Sequence, residues 1–333
     1  MTQGQIIKIH SDFYYVVANN ETFECKLREV LKKQQEKVLV GDFVEFDNGY
    51  ITKVLPRKNF IKRPAVANID QIVIVSAVEE PHLDYHQLNR YIAFAEYWNI
   101  DIKLCFNKND LSRDDKIIES VFSIYESLGY DIVFTSALEK DGIDDFKEIM
   151  AGKISVLCGS SGVGKSSLLN AINPDFHLRV HTVSEKSQRG THTTRHSEIL
   201  TVSENTKIID TPGFSNLRFD FLLPTDIGKL FREMRPYLGH CKYQDCLHIH
   251  EDGCNVLEHI DSIPQSRYKS YIDFVKEAKE YKEKVKYEGT KKETFKKQTN
   301  NKTTVKISTQ KRLASRNTQK QKIYKEDIDE GIN

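Results

Sequence analysis

Lys153-Ile-Ser-Val-Leu-Cys-Gly-Ser-Ser-Gly-Val-Gly-Lys-Ser-Ser-Leu-Leu-Asn-Ala-Ile172 is the stretch that decides the fold of this chain. Its opening residues form an apolar strand, the next eight a glycine loop, and the rest has the composition of a helix. Gly159 to Ser166 match the pattern GxxxxGK followed by Ser or Thr, in the strand–loop–helix context that the pattern requires. The glycines let backbone N–H groups turn inward around a β-phosphate, at the positive end of the helix that follows. Lys165 is expected to reach the β- and γ-phosphates, and the Ser166 hydroxyl to ligate Mg²⁺. The candidate nucleotide contacts here are Gly159, Ser160, Ser161, Gly162, Val163, Gly164, Lys165, Ser166 and Ser167. A plain Gly/Ser turn would need neither the Lys-Ser pair nor the flanking strand and helix.

Working outward, strands and helices alternate from residue 69 onward. IDQIVIVSAV, IDIKLCF, DIVFTSA and TKIID read as strands, and LDYHQLNRYIAFAEYW and IIESVFSIYESLG have helical spacing. That rhythm predicts a doubly wound α/β domain on a largely parallel sheet. Asn107-Lys108-Asn109-Asp110 follows the strand IDIKLCF. A carboxylate at Asp110 can accept from both N1–H and the exocyclic amine of guanine, a pair that adenine does not offer, so the base is expected to be guanine. Asn107 is expected at the base edge, with the Lys108 stem over the ring. Ser136-Ala137, 26 residues after Asp110, resembles the loop whose backbone N–H meets guanine O6. Asp210-Thr-Pro-Gly213 ends another strand 44 residues after Ser166, a spacing suited to the element that contacts the Mg²⁺ shell and senses the γ-phosphate. Ras-like GTPases place the phosphate loop first and NKxD last. Here NKND precedes the loop, so the site of a GTP-binding domain is expected in circularly permuted order.

The remaining segments surround this domain. Residues 1–63 contain five short β-branched and aromatic runs, GQIIKIH, FYYVVA, TFECKL, DFVEF and YITKVL, separated by Asn and Gly turns. They predict a small barrel, best fitted by the OB type, with a generic SH3-like barrel as the alternative. The permuted GTPase domain is assigned to 64–223, a helical segment to 224–289, and a Lys-rich flexible tail to 290–333. Between Lys282 and Lys325 fifteen Lys/Arg face three acids, although the whole chain carries a net charge of only +1. Cys25, Cys105 and Cys158 lie singly in apolar runs and are expected to be buried as small hydrophobes. Cys241-x4-Cys246-x-His248-x5-Cys254 is different: three thiolates and an imidazole within fourteen residues suit tetrahedral Zn²⁺. Four protein ligands leave no open position, so one structural zinc per chain is expected; His240, His250 and His259 are surplus. No apolar run approaches the roughly 20 residues of a membrane span, and no signal peptide is evident, so a cytoplasmic monomer is expected.

The permuted motifs, the barrel, the segment VLPRKNFIKRPAVANIDQIVIV and the Cys/His cluster, in that order, resemble the bacterial ribosome small subunit-dependent GTPase A family over about residues 1–280. The resemblance implies an OB-fold, a permuted GTPase and a zinc domain that act with GTP/GDP and Mg²⁺ in late maturation of the small ribosomal subunit, in contact with its rRNA. Between the loop and Asp210 lies the polar stretch RVHTVSEKSQRGTHTTRHSEIL, expected to order around Mg²⁺ and the γ-phosphate. Thr193 and Thr194 are both candidates for the Mg²⁺-ligating threonine. Phe214 follows DTPG where Ras-like enzymes carry a water-positioning Gln. The resemblance implies His192 as the group that replaces it; the alternative is that His192 touches RNA or solvent. Gly162 stands where some Gln-lacking relatives place a potassium-coordinating Asn, so no potassium site is expected there.

Overall fold

Alternation of inward and outward side chains folds the N-terminal residues into a closed barrel. Its elements are β1 (Thr2–His10), β2 (Phe13–Ala18), β3 (Glu21–Leu27), α1 (Glu29–Lys33), β4 (Phe43–Asp47) and β5 (Tyr50–Val54). β1 pairs antiparallel with β2, β2 antiparallel with β3, β3 parallel with β5, β5 antiparallel with β4, and β4 antiparallel with β1. This closed five-stranded order is that of an OB-fold, as the sequence predicts. Ile6, Val16, Cys25, Val44, Phe46 and Ile51 fill the interior. The β2–β3 and β4–β5 turns use Asn19-Asn20 and Asn48-Gly49, all four with positive φ, which is the chemistry such turns demand. The structure, a computed structural model, describes residues 1–33, 37–62, 64–112, 115–178, 197–210, 217–219, 222–288, 295–297 and 303–305. It divides into two compact units, Met1–Leu217 and Arg218–Asn333.

After a short hairpin, β6 (Phe60–Lys62) and β7 (Ala65–Ala67), the first unit continues as alternating strands and helices. These are β8 (Gln71–Ala77), α2 (Tyr85–Tyr97), β9 (Asp101–Asn107), α3 (Lys116–Val121), β10 (Asp131–Thr135), α4 (Ile143–Glu148), β11 (Ile154–Cys158), α5 (Lys165–Ile172), β12 (Glu198–Ser203) and β13 (Thr206–Asp210). The sheet order is β10-β9-β8-β11-β13-β12, parallel throughout except for β12. β12 then pairs with β1, so the barrel strands continue the same sheet. The strands are near-continuously apolar and buried, and on one face Val73, Val75, Cys105, Val133 and Leu157 pack with Phe146, Leu168 and Leu169 of the helices. Cys25, Cys105 and Cys158 are all buried.

The second unit is less regular than its sequence suggests. Residues 224–264 form 3₁₀ turns at Pro224–Leu230, Arg235–Tyr237 and Ile260–Ser262 and one short helix, α6 (Asn255–Glu258), before the long α7 (Gln265–Glu288). Pro224, Gly228, Pro236, Gly239, Gly253 and Pro264 break every helical run before α7. Phe219, Phe231, Tyr271 and Phe274 make its core, with the Phe219 and Phe274 ring centroids 4.6 Å apart. Arg267 is fully buried yet paired, its guanidinium donating to Glu233 at 2.6 and 3.1 Å and lying 4.7 Å above the Phe231 ring. In the Lys-rich tail, where composition predicts no regular structure, Phe295–Lys297 pairs antiparallel with Thr303–Val305. Among the described residues no helix is long and apolar enough to cross a membrane.

Candidate nucleotide site and metal centre

Parallel strands end together, so the loops that follow β8, β9, β10 and β11 gather at one edge of the sheet, beside the end of β13. That carboxyl edge is where open α/β sheets bind ligands. Asn107 closes β9, Thr135 closes β10, Cys158 closes β11 and Asp210 closes β13. Motifs up to 103 residues apart in sequence, Asn107 to Asp210, thus share one rim.

The phosphate loop is held tightly on both sides. Gly159 has φ +148°, and a Cβ there would lie 2.1 Å from the Val75 carbonyl oxygen. Gly164 has φ +93°, and its Cβ would meet the Asn107 amide nitrogen at 2.2 Å. No side chain fits at either position. Lys165 begins α5 and folds back over the loop, donating to the carbonyls of Gly159 and Ser160 at 2.8 and 2.9 Å. Burial lowers its pKa, while the nearby Cys158 and Asp210 favour the charged form. Ser161 and Gly162 form the loop tip, Val163 is buried beneath it, and Ser166 and Ser167 lie in the first turn of α5. The Ser160 hydroxyl lies 3.4 Å from the Tyr91 hydroxyl of α2, a contact that no motif foretells. Asp210 is 7 % exposed and stands opposite Leu157 of β11.

Asn107 lies buried at the end of β9, beneath the rim. Its side chain is 1 % exposed; the amide N–H donates to the Val163 carbonyl at 2.9 Å. Its carbonyl oxygen accepts from the Thr135 hydroxyl and the Ala137 N–H, both at 3.2 Å. One amide therefore clasps the phosphate loop, β9 and the loop after β10. A buried amide surrounded by backbone groups satisfies them first. Lys108 has a left-handed backbone, φ 63°, and its ammonium donates to the Glu80 carbonyl. Asn109 opens a 3₁₀ turn with its side-chain oxygen buried and unpartnered, and Asp110 is exposed at the rim. Ser136 exchanges two backbone bonds with Asp141 and accepts from the Glu139 N–H at 3.0 Å, which makes this a rigid tight loop. His192, Thr193, Thr194, Gly213 and Phe214 lie outside the described residues.

In the second unit the ligand atoms of Cys241, Cys246, His248 and Cys254 all lie within 4.8 Å of one another. His248 Nδ1 is 3.4 Å from the sulfurs of Cys241 and Cys254, and those sulfurs are 3.9 Å apart. A tetrahedron with metal–ligand bonds of about 2.0–2.3 Å has edges of roughly 3.5–3.8 Å, so the set fits a zinc ion. Burial lowers the His248 pKa, which favours the neutral imidazole that a metal needs. The loop is braced by groups that the spacing pattern does not reveal. Glu251 accepts from the N–H groups of Leu247, Ile249 and His250 at 2.9, 2.9 and 3.1 Å. Tyr271 donates to the Leu247 carbonyl at 2.6 Å and Tyr268 to that of His248 at 2.8 Å. Of the surplus histidines, His259 stacks on Tyr237 with ring centroids 4.4 Å apart.

Comparison with known proteins matches the description "RsgA GTPase" over residues 54–220 and "RsgA N-terminal domain" over 3–51. A third description, "50S ribosome-binding GTPase", matches 154–287. It names the other ribosomal subunit, but it spans only the phosphate-loop side of the site and omits NKND. The chain is 39 % identical to the small ribosomal subunit biogenesis GTPase RsgA of Alkaliphilus metalliredigens, over 84 % of this chain and 98 % of that one. It is 40 % identical to the protein of the same name in a Geobacillus species, over 85 % and 99 %. The crystal structure of YjeQ from Thermotoga maritima aligns with TM-score 0.72 at 34 % identity, covering 83 % of this chain and 98 % of that one. YloQ, described as a circularly permuted GTPase, aligns with TM-score 0.69 at 32 % identity, covering 84 % and 96 %.

Proposed function

This chain belongs to the RsgA family of GTPases, and from that premise we propose that it binds the small ribosomal subunit during late maturation, hydrolyses GTP there and then leaves. The observation that carries the reading is the permuted site itself, in a chain that matches nearly the full length of relatives named for small ribosomal subunit biogenesis. Asp110 reads guanine from the exposed rim, Lys108 covers the ring, and Asn107 holds their loops in place from beneath. Lys165 and the loop amides from Ser160 to Ser166 hold the phosphates. Ser166, Asp210 and either Thr193 or Thr194 would hold Mg²⁺, which neutralises charge on the β- and γ-oxygens. Gly213 contacts the γ-phosphate. His192 positions the attacking water, because Phe214 has no group that can.

The partner assignments follow from chemistry. The barrel offers a groove for rRNA, and the Lys-rich tail offers phosphate contacts sensitive to salt. Cys241, Cys246, His248 and Cys254 hold one structural zinc, which stabilises a unit whose polypeptide has few long elements. The protein acts as a cytoplasmic monomer, divided as barrel 1–63, GTPase 64–223, zinc domain 224–289 and tail 290–333.

The deciding measurement is GTP turnover with and without purified small subunits. Turnover should be slow alone and rise on docking, and His192→Ala should keep GTP and subunit binding while losing most of the stimulated rate. Positioning gains of that kind reach about 3–5 kcal/mol in phosphoryl transfer. A variant stimulated as strongly as wild type removes His192 from catalysis. Wild type with no stimulation would instead make this a binding module in which nucleotide only sets conformation.

A further inference from the structure

The barrel and the nucleotide half of the sheet meet in a single row of residues. Lys8 of β1 lies opposite Glu198 of β12, Glu198 opposite Asp210 of β13, and Asp210 opposite Leu157 of β11. Neighbouring strands are about 4.8 Å apart, so Lys8 stands roughly 10 Å across the sheet from Asp210. Side chains tie the row together. The Lys8 ammonium lies 3.1 Å from both Glu198 carboxylate oxygens. Three residues back along β1, the buried Gln5 accepts from the Lys207 ammonium of β13 at 2.7 Å, while its own amide donates to the Gly41 carbonyl at 3.3 Å.

β1 is therefore bonded to both strands of the β12–β13 hairpin. The open end of that hairpin carries Glu198, which follows the stretch holding Thr193 and Thr194, and Asp210, which begins DTPG. Simple cohesion between barrel and sheet is the plainer explanation. It accounts for the buried Gln5, but an ion pair with side chains 38 % and 40 % exposed adds little cohesion. What such a pair does is hold one strand end in place beside another, within reach of whatever binds the barrel.

We propose that β1 belongs to the hydrolytic apparatus: Lys8–Glu198 and Gln5–Lys207 are positioning contacts through which docking of the barrel sets the place of the β12–β13 hairpin and of Asp210. The proposal deepens the reading of a subunit-stimulated GTPase and rests on it for the docking step. Because β1 is bonded to both strands of the hairpin, a nucleotide that changes the place of Asp210 is also felt in β1.

The test compares Lys8→Glu, Glu198→Lys and the double exchange in the full-length protein. At saturating small subunits, kcat should fall about two- to fivefold in each single variant, as suits a partly exposed pair, and recover in the exchange. Subunit affinity should stay within about twofold. In a separate measurement without subunits, hydrogen exchange of the β1 amides should differ between GDP and a non-hydrolysable GTP analogue, and that difference should shrink in the single variants. Unchanged kcat in both singles overturns the proposal. So does an exchange variant as slow as the singles, or a loss confined to the KM for subunits, which would make Lys8 a docking contact alone. Wild type that subunits do not stimulate sinks the functional reading, and hydrogen exchange then decides this proposal: equal β1 protection with both nucleotides overturns it.

Discussion

Asn107 and Asp110 sit three residues apart in one motif and do different work. Asn107 gives an amide N–H and its carbonyl oxygen to the protein, joining Val163, Thr135 and Ala137. Asn107→Ala leaves the Val163 carbonyl and the Ala137 N–H without partners, and each buried orphan costs about 1–3 kcal/mol. The expected result is a loss of roughly 2–4 kcal/mol in stability and at least about tenfold in affinity for GTP and GDP alike, with preference for guanine intact. Asp110→Asn should do the reverse, sparing stability and shifting preference toward xanthine nucleotides, because it exchanges an acceptor for a donor at the base edge. Thermal melting and competition among labelled guanine, xanthine and adenine nucleotides separate the two. Equal affinity of wild type for ATP and GTP would remove Asp110 from base recognition, and an altered base preference in Asn107→Ala would undo its role as a clasp.

The Cys/His loop is an element with little regular secondary structure, in which four potential ligand atoms cluster. Its brace is Glu251, whose burial pushes its pKa up but whose three backbone N–H partners outweigh that and bring it down to about 2. A carboxylate with a depressed folded-state pKa contributes stability above its ordinary value near 4.5, and loses it as pH falls from there through about 2. Glu251→Gln should therefore melt earlier than wild type at pH 7, with the gap narrowing as the pH falls below 4.5. Following the difference between the two proteins cancels the protonation of the metal ligands, which both share; a gap that stays constant with pH would show that the charge is not what braces the loop. Removing metal should unfold residues 224–288, seen as lost α7 helicity, while the first unit still binds GDP. Chelator-free protein with less than about half an equivalent of zinc would contradict the structural role.

At the scale of the whole molecule, a near-neutral chain carries its positive charge at one end. Most of the fifteen basic residues between Lys282 and Lys325 lie beyond α7, so truncation after Glu288 removes them and keeps the core residues Phe219, Phe231, Tyr271 and Phe274. If the tail contacts rRNA phosphates, truncation should weaken subunit binding and flatten its dependence on salt, each lost phosphate contact reducing the slope by roughly 0.7–0.9. Nucleotide affinity should not change. Cosedimentation across a salt series measures this, and an unchanged slope would assign the tail some other task.

The sequence by itself determined the chemistry and the class of the fold. Its motifs carry their own local context, since Gly159 to Ser166 needs only its strand and helix, and the Cys/His spacing needs only fourteen residues. Five alternating runs with Asn turns were enough for the barrel, because a period of two and positive-φ turn residues are local properties. Between 224 and 264 Pro and Gly confine regular structure to 3₁₀ turns and one short helix, while the helical expectation is met by Gln265–Glu288. What only the tertiary structure decided are the long-range pairings. The bonds of Asn107 to Val163, Thr135 and Ala137, those of Tyr268 and Tyr271 to the Cys/His loop, and the row from Lys8 through Glu198 to Asp210 join residues by packing and strand register. Neither is written in the spacing of any one segment, because register is settled only when two strands from distant parts of the chain meet.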